Sequence, residues 1–342
     1  MGIDATAEKP PLAGQIARPG EISCTLFQDG KTQKCPVSDI STVLDKPGVL
    51  VWLDVVDPGP DDLNLLKEQF KLHPLSVEDA TSGHEYPKIE AFDTYWFLVL
   101  QAATVEHSEV VFHEMSIFAA PTFLVTVRHS PAYPLQEIEQ LWIEHSSQLG
   151  MGGGFLLYTI LDVVVDGYFP VVELYEDKVD DLEEDLFRAR KKKVDMLPDI
   201  FAMKRGSQKF RHAAFPMRDI INPLIREDLD LFSHDLVPYF RDIYDHAVRV
   251  IDELDNMRDL VNSALEIHLS VIANRQNEVM KQLTIIASIF LPLSFVTGFF
   301  GQNFVLLLDH IKSPLSFWEF GIALEIAIVI ATLVLFKVRN WF

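Results

Sequence analysis

Cysteine and positive charge are both scarce in this sequence. Cys24 and Cys35 are the only thiols in 342 residues. That is too few for a disulfide framework or a thiolate zinc cluster, and both are expected to be inert side chains in a reducing compartment. Lys and Arg number 29 against 50 Asp and Glu, a formal net charge of −21. A surface of that sign repels phosphate backbones, which argues against nucleic acid as a partner and makes cations its natural company. A phosphate-binding loop, a nucleophile elbow and a His-Glu zinc motif are also missing, so nothing marks an enzyme. Residues 1–20, MGIDATAEKPPLAGQIARPG, have no apolar core and are rich in Pro, Gly and Ala. They fit neither a signal peptide nor a helix and are expected to form a flexible cytoplasmic tail.

What is present falls into two textures. Over residues 21–132, short β-rich stretches such as GVLVWLDV, YWFLVLQAATV and FLVTVRH alternate with helical ones such as PDDLNLLKEQFKL. This pattern predicts an α/β domain with a mixed sheet. Gly59 or Asp61 opens its first long helix, along which Leu63, Leu66 and Phe70 recur at helical spacing. Over residues 133–237 strand signals vanish. One helix there carries eight carboxylates between Glu173 and Asp185, then five basic residues from Arg188 to Lys193, with Leu174, Val179, Leu182 and Leu186 as a core stripe. It reads either as a solvated helix whose charges complement its dipole or as an acidic surface that concentrates divalent cations.

From Pro238 there is no proline until Pro292 and no glycine until Gly298. Residues 238–300 are therefore expected to form one long stalk helix, which needs partners, with symmetric copies of itself the economical choice. Its end, Leu283 to Phe300, is an apolar run of 18 residues, and Phe320 to Phe336 is another of 17. Both approach the length that crosses a hydrocarbon core about 30 Å thick. Everything before Leu283 reads as too polar to span. Arg275 and Lys281 precede the first run and Lys337 and Arg339 follow the second, so both termini are expected in the cytoplasm of a multi-pass plasma membrane protein. Residues 301–316 then form an external loop, 317–337 the second transmembrane helix and 338–342 a cytoplasmic tail.

At about 100° per residue, Glu266, Asn277, Met280, Thr284, Ala287, Leu291, Ser294, Gly298 and Gly301 share one side of the long helix, with Leu283 beside them. A small-residue seam between helices and a pore lining both fit this stripe. The first run stops at Gly301, Gln302 and Asn303. That stop is either a plain helix end or a ring of amides at a pore mouth.

Three blocks carry a resemblance: LHPLSVEDATSGHEYPKIEAFDTYWFLVL, YFRDIYDH and NEVMKQLTIIASIFLPLSFVTGFFGQNF. In order and spacing they resemble the CorA family of divalent-cation channels, from about Trp52 to the C-terminus. The resemblance implies a homopentameric funnel of α/β domains, long stalk helices and two C-terminal transmembrane helices. It implies Mg2+ as the usual ion, both transported and regulatory, with Co2+ or Ni2+ as passengers. It assigns Gly301, Gln302 and Asn303 to the selectivity mouth. It assigns Asn277, Met280, Leu283 and Leu291 to the gate, with Ser294 and Gly298 continuing the lining. An intersubunit regulatory metal site maps to Asp79 and Asp242, and Glu78, Asp162 and His246 match positions near a second one.

The sequence also departs from that family. The signature tripeptide Gly-Met-Asn is Gly-Gln-Asn here, and VLLLDHIKSPLSFWEF replaces the acidic external stretch, leaving Asp309 as the nearest carboxylate. These changes leave a ZntB-like Zn2+ transporter open as an alternative, and a non-conducting, membrane-tethered metal sensor as another. Glu325, inside the second run, is outside the family pattern. It is expected in the outer half of the span, facing the first helix.

Overall fold

The computed structural model describes residues 21–28, 31–44, 46–83, 85–129, 133, 135–144, 152–189, 196–226, 231–302 and 313–339. Residues 1–20, Asn303 and most of the segment expected as an external loop lie outside them. The chain divides into two compact units, Met1–Leu265 and Glu266–Phe342.

The first unit is built on a seven-stranded sheet: β1 (Ile22–Gln28), β2 (Lys31–Lys34), β3 (Val49–Val56), β4 (Lys88–Ala91), β5 (Trp96–Glu106), β6 (Glu109–Ala119) and β7 (Phe123–Arg128), in the order β2-β1-β3-β7-β6-β5-β4. Every neighbouring pair is antiparallel except β3 and β7, whose parallel register sets Leu53 beside Val125. The sheet is therefore mixed, as the sequence pattern predicts. Its central strands are apolar on both faces because both are covered. On β3, Val49, Val51, Leu53 and Val55 join a core with Phe97, Val99 and Val125. That core is closed by α1 (Ile40–Leu44), α2 (Pro60–Gln69) and α3 (Pro74–Ser82) through Ile40, Val43, Leu66, Val77 and Ala80. Helix α2 begins where the sequence indicates: Gly59 is its N-cap, and the Gly59 N–H donates to Asp62 Oδ2 at 2.8 Å.

The alternate residues, Leu50 and Trp52 with Trp96, Leu98 and Leu100, face the opposite core. There they meet α4 (Gln136–Glu144), α5 (Gly153–Asp166), α6 (Phe169–Ala189), α7 (Leu197–Ala214), α8 (Met217–Arg226) and the start of α9 (Val237–Phe300). No strand follows Arg128 among the described residues, in line with the change of texture there.

Helix α9 is a single element of 64 residues, close to the span read from the sequence. Its early part is not waiting for another copy of the chain. Phe240, Ile243, Ala247, Val250, Leu254, Met257 and Val261 recur at three- and four-residue steps and are buried in the core of their own unit. Arg211 of α7 pairs with Asp255 on the same stretch. This corrects the expectation that the whole helix needs symmetric partners.

A second correction concerns polarity. Residues from Gly153 onward include an 18-residue window of mean hydropathy 1.7, so α5 and early α6 are also long and apolar enough to span. That window is 61% buried within the structure, whereas those ending α9 and beginning at Pro314 are 0% and 6% buried. Its apolarity is explained by the core it fills.

The second unit pairs the end of α9 with α10 (Leu324–Val338), which follows a short helical turn at Pro314–Ser316 and a π-helical segment at Phe317–Ala323. Beyond Leu265, only His268 and Phe336 are buried among the described residues.

Candidate functional site

Within the second unit, Ile285, Ser288, Ile289, Pro292, Leu293, Val296 and Phe300 are half-buried, one face of α9 at three- and four-residue steps. On the other helix Gly321, Ile322, Glu325, Ile328, Val329 and Thr332 are half-buried and Phe336 is buried. The two helices cover these faces mutually, with the Phe300 and Phe320 ring centroids 6.3 Å apart. The candidate lining falls elsewhere on α9: Asn277, Met280, Leu283, Leu291, Ser294 and Gly298 are all exposed, Leu291 by 74%. Thr284 folds its hydroxyl back onto the Met280 carbonyl at 2.8 Å, which reduces the polarity it offers.

At the end of the stripe, the Gly301 N–H donates to the Thr297 carbonyl at 2.9 Å and the Gln302 N–H to the Phe299 carbonyl at 3.3 Å, closing the helix. Gly301 is not in the left-handed region that commonly requires glycine past a helix. A Cβ there would stand 3.0 Å from the Thr297 carbonyl oxygen, so close approach is the constraint. Gly298 has open space around it. Asn303, the third residue of the expected mouth, lies outside the described residues.

A second group lies in the first unit where α5 meets α9. Asp162, Asp166 and His246 bring a ligand atom each to within 4.8 Å of one another. Asp162 and Asp166 are one helical turn apart on α5, and His246 reaches them from α9, its Nδ1 3.5 Å from Asp166 Oδ1. Tyr158, one turn before Asp162, packs its ring 5.1 Å from Tyr239. Burial raises the Tyr158 pKa, and the charges of Asp162, Asp242, Tyr239 and Asp166 push it further the same way. Asp242 thus lies near the group although it is exposed and not a member of it. The donor set fits a divalent ion. Carboxylate oxygens suit Mg2+, which keeps water for its remaining positions, and the imidazole is a donor that Co2+, Ni2+ or Zn2+ accept more readily.

The structure brings Asp162 and His246 together and adds Asp166. Its signal, a second Asp four residues on, is visible in the sequence but common on solvated helices. Glu78 and Asp79, on α3, are not part of this group. Glu78 is exposed, and Asp79 is paired with Lys88 of β4 at 2.6 Å. Lys88 also reaches Glu90 at 2.8 Å. Burial depresses the Lys88 pKa, but the hydrogen bonds and charges of Asp79 and Glu90 outweigh it and hold the ammonium above its usual range. Asp79 therefore already has an internal cation, which sequence reasoning missed.

Helix α6 adds a broad acidic face. Glu176 is raised above the usual carboxylate range by desolvation first, then by Glu253 of α9 and by Glu173, Asp180 and Asp177 on its own helix. Cys24 is buried, and desolvation with the neighbouring Cys35 pushes its thiol up to about 12. That agrees with an inert side chain.

The family model described as CorA-like Mg2+ transporter protein matches residues 47–338. The chain belongs to this family. Its CorA relatives include the cobalt/magnesium transport protein of Thermotoga maritima, 29% identical over 96% of this chain and 94% of that protein. The YfjQ protein of Bacillus subtilis, a metal ion transporter by its name, is 30% identical over 85% of this chain and 89% of that one. Among solved structures, the CorA magnesium transporter of Methanocaldococcus jannaschii matches with a TM-score of 0.76 at 22% identity, covering 94% of this chain and 98% of that one. At that identity the structural likeness speaks for the CorA fold. The family is one of membrane transporters, and the second unit holds apolar helices long enough to cross a membrane and little buried within the structure.

Proposed function

We propose that the chain is a divalent metal cation channel that carries Mg2+, with Co2+ and Ni2+ as further permeant ions, and is gated by cytoplasmic divalent cation. The observation that carries this reading is the one-sided cover of α9: α10 shields one face and leaves the stripe from Asn277 to Gly298 exposed. In a homopentamer, five such stripes would line an axis. Two spans would cross a plasma membrane with both termini cytoplasmic, the apolar window of α5 being accounted for by its core. Residues 1–20 and 338–342 would be cytoplasmic tails, 21–132 and 133–237 the two parts of the cytoplasmic domain, 238–300 stalk and first span, 301–316 the external loop and 317–337 the second span.

The chemistry follows from the residues. Mg2+ gives up water reluctantly, so a selective mouth does best to offer neutral acceptors to a hydrated ion. A ring of Asn303 amides would do that without trapping the ion, and Gln302 in place of methionine adds a further acceptor. Deeper in, rings of Met280 and Leu291 resist wetting, and a dry constriction stops a hydrated ion. Control would lie with the acids. Asp79 and Asp242 of adjoining subunits, with Glu78, Asp162, Asp166 and His246 nearby, would bind Mg2+ when it is abundant and favour the closed state by that differential binding.

The test is ion uptake into proteoliposomes against empty vesicles, with Mg2+, Co2+ and Zn2+ compared. Mg2+ uptake that Asn303→Ala abolishes in an intact pentamer is the expected result, with Gln302→Met retaining transport. Zn2+ uptake without Mg2+ uptake would favour the ZntB-like alternative, and no uptake at all the non-conducting sensor.

A further inference from the structure

Glu325 is an acid within an apolar helix, and two features give it a place. The Thr297 hydroxyl of α9 stands 2.9 Å from Glu325 Oε1 and 2.8 Å from the Leu293 carbonyl oxygen, so its one proton is shared between two acceptors. The half-buried stripe of the second helix, Gly321, Ile322, Glu325, Ile328, Val329 and Thr332, then turns Glu325 toward α9 and away from lipid. This agrees with the orientation expected from the sequence.

The backbone just before Glu325 is arranged for this contact. In the π-helical segment Phe317–Ala323, the closing bond runs from the Leu324 N–H to the Glu319 carbonyl, five residues back. On a regular α-helix, residues five apart point about 140° away from each other. The wider turn of a π-helix narrows that angle. Phe320 and Glu325 are five apart, and both meet the last turns of α9, at Phe300 and Thr297. Thr297 in turn holds the mouth, because its carbonyl accepts the Gly301 N–H at 2.9 Å. Leu283 to Phe300 contains no charged side chain, so Thr297 is a polar anchor within an apolar surface.

We propose that Glu325 and Thr297 form a polar brace between the two spans that fixes the last turn of the first, and with it Gly301 and Gln302 at the mouth. Glu325 is then a positioning residue for ion uptake, an inference that rests on the channel reading above. The pair acts through a hydrogen bond to an oxygen, not through net charge, so the conservative amide can replace the acid.

The test compares wild type with Thr297→Val, Thr297→Ser, Glu325→Leu, Glu325→Gln and the Thr297→Val/Glu325→Leu double variant in proteoliposomes, with pentamer content measured in detergent. Thr297→Val and Glu325→Leu should each raise the apparent KM for Mg2+ about threefold, the size of a typical polar contact between helices in lipid, and the double variant should be no worse than either. Thr297→Ser and Glu325→Gln should match wild type. A wild-type KM in Thr297→Val, additive losses in the double variant, or a Glu325→Gln as impaired as Glu325→Leu would overturn the brace. Should Glu325→Leu fail to assemble, the nearly isosteric Thr297→Val carries the comparison.

Oxidative cross-linking of a Phe300→Cys/Phe320→Cys pair, with Cys24 and Cys35 replaced by Ala, reads the fit of the two spans without any conduction. Thr297→Val should slow it about threefold, and an unchanged rate would overturn the brace. If wild type carries no ion above empty vesicles, the channel reading fails and the cross-linking decides the brace alone.

Discussion

Lys88 stands between the Asp79 and Glu90 carboxylates, and its effect depends on what Asp79 is for. If Asp79 is a ligand of the regulatory cation, Lys88 competes with that cation for the same oxygen. Lys88→Gln should then let Mg2+ protect the first unit from limited proteolysis at a lower concentration, by up to about fivefold given the usual strength of such a pair. Protection at an unchanged concentration would separate Asp79 from metal binding. The raised Lys88 pKa contributes stability that is fully present below its ordinary value near 10.5 and lost only as pH rises through the higher folded value, so this pair is silent at neutral pH. His113 has the opposite sign. It is buried on β6, bonded through Nε2 to Thr104 Oγ1 at 2.8 Å, and desolvation lowers its pKa. The unfolded chain takes up a proton near 6.5 while the folded one resists, so the His113 contribution is complete above that value and lost as pH falls below it. The drop in melting temperature between pH 7 and pH 5 should shrink in His113→Gln.

Helix α5 shows the same dependence on neighbours at the scale of an element. Its sequence, GGFLLYTILDVVVD, opens with two glycines that do not resemble a helix start. Space accounts for both. A Cβ on Gly153 would run into the Ala120 carbonyl oxygen, and one on Gly154 would stand 2.5 Å from Leu236 Cδ1 and 2.8 Å from the Phe232 ring. The helix can pack on the end of β6 and on the segment leading into α9 only if these positions carry no side chain. Gly153→Ala should destabilise the fold by about 1 to 3 kcal/mol, the usual cost of overpacking, because a backbone carbonyl has no rotamer by which to retreat. Gly154→Ala should cost less, since the Leu236 and Phe232 side chains can shift where a backbone carbonyl cannot. Chemical denaturation of the two variants under one set of conditions checks the order.

For the molecule as a whole, burial is concentrated on one side of Leu265. Both hydrophobic cores draw their buried residues from positions up to Ala264. A chain ending at Leu265 should therefore fold without detergent and melt cooperatively, which circular dichroism and size-exclusion chromatography can measure. The remainder exposes Phe290, Leu291, Phe295, Trp318 and Ile330 by more than half each, and the full chain should need detergent or lipid to stay dispersed. A fragment that aggregates would mean that the first unit depends on the second.

Whatever is carried by neighbouring residues was legible from sequence: the short β-rich runs that make β3 and β5, the long stretch between Pro238 and Pro292 that makes most of α9, the two apolar runs, and the three blocks that carry the family likeness. Periodicity is local, so residues near in sequence declare it. The two apolar windows at the C-terminus and the one beginning at Gly153 are alike in composition, and only packing separates the exposed ones from the buried one. Tertiary structure also decided the partners of the acids. Asp166 joins Asp162 and His246 because α5 lies against α9, Asp79 meets Lys88 because α3 returns beside β4, and Glu325 reaches Thr297 across a helix pair. An ionisable side chain in a sequence states its charge but not what faces it, and the energy of a charge is set by what faces it.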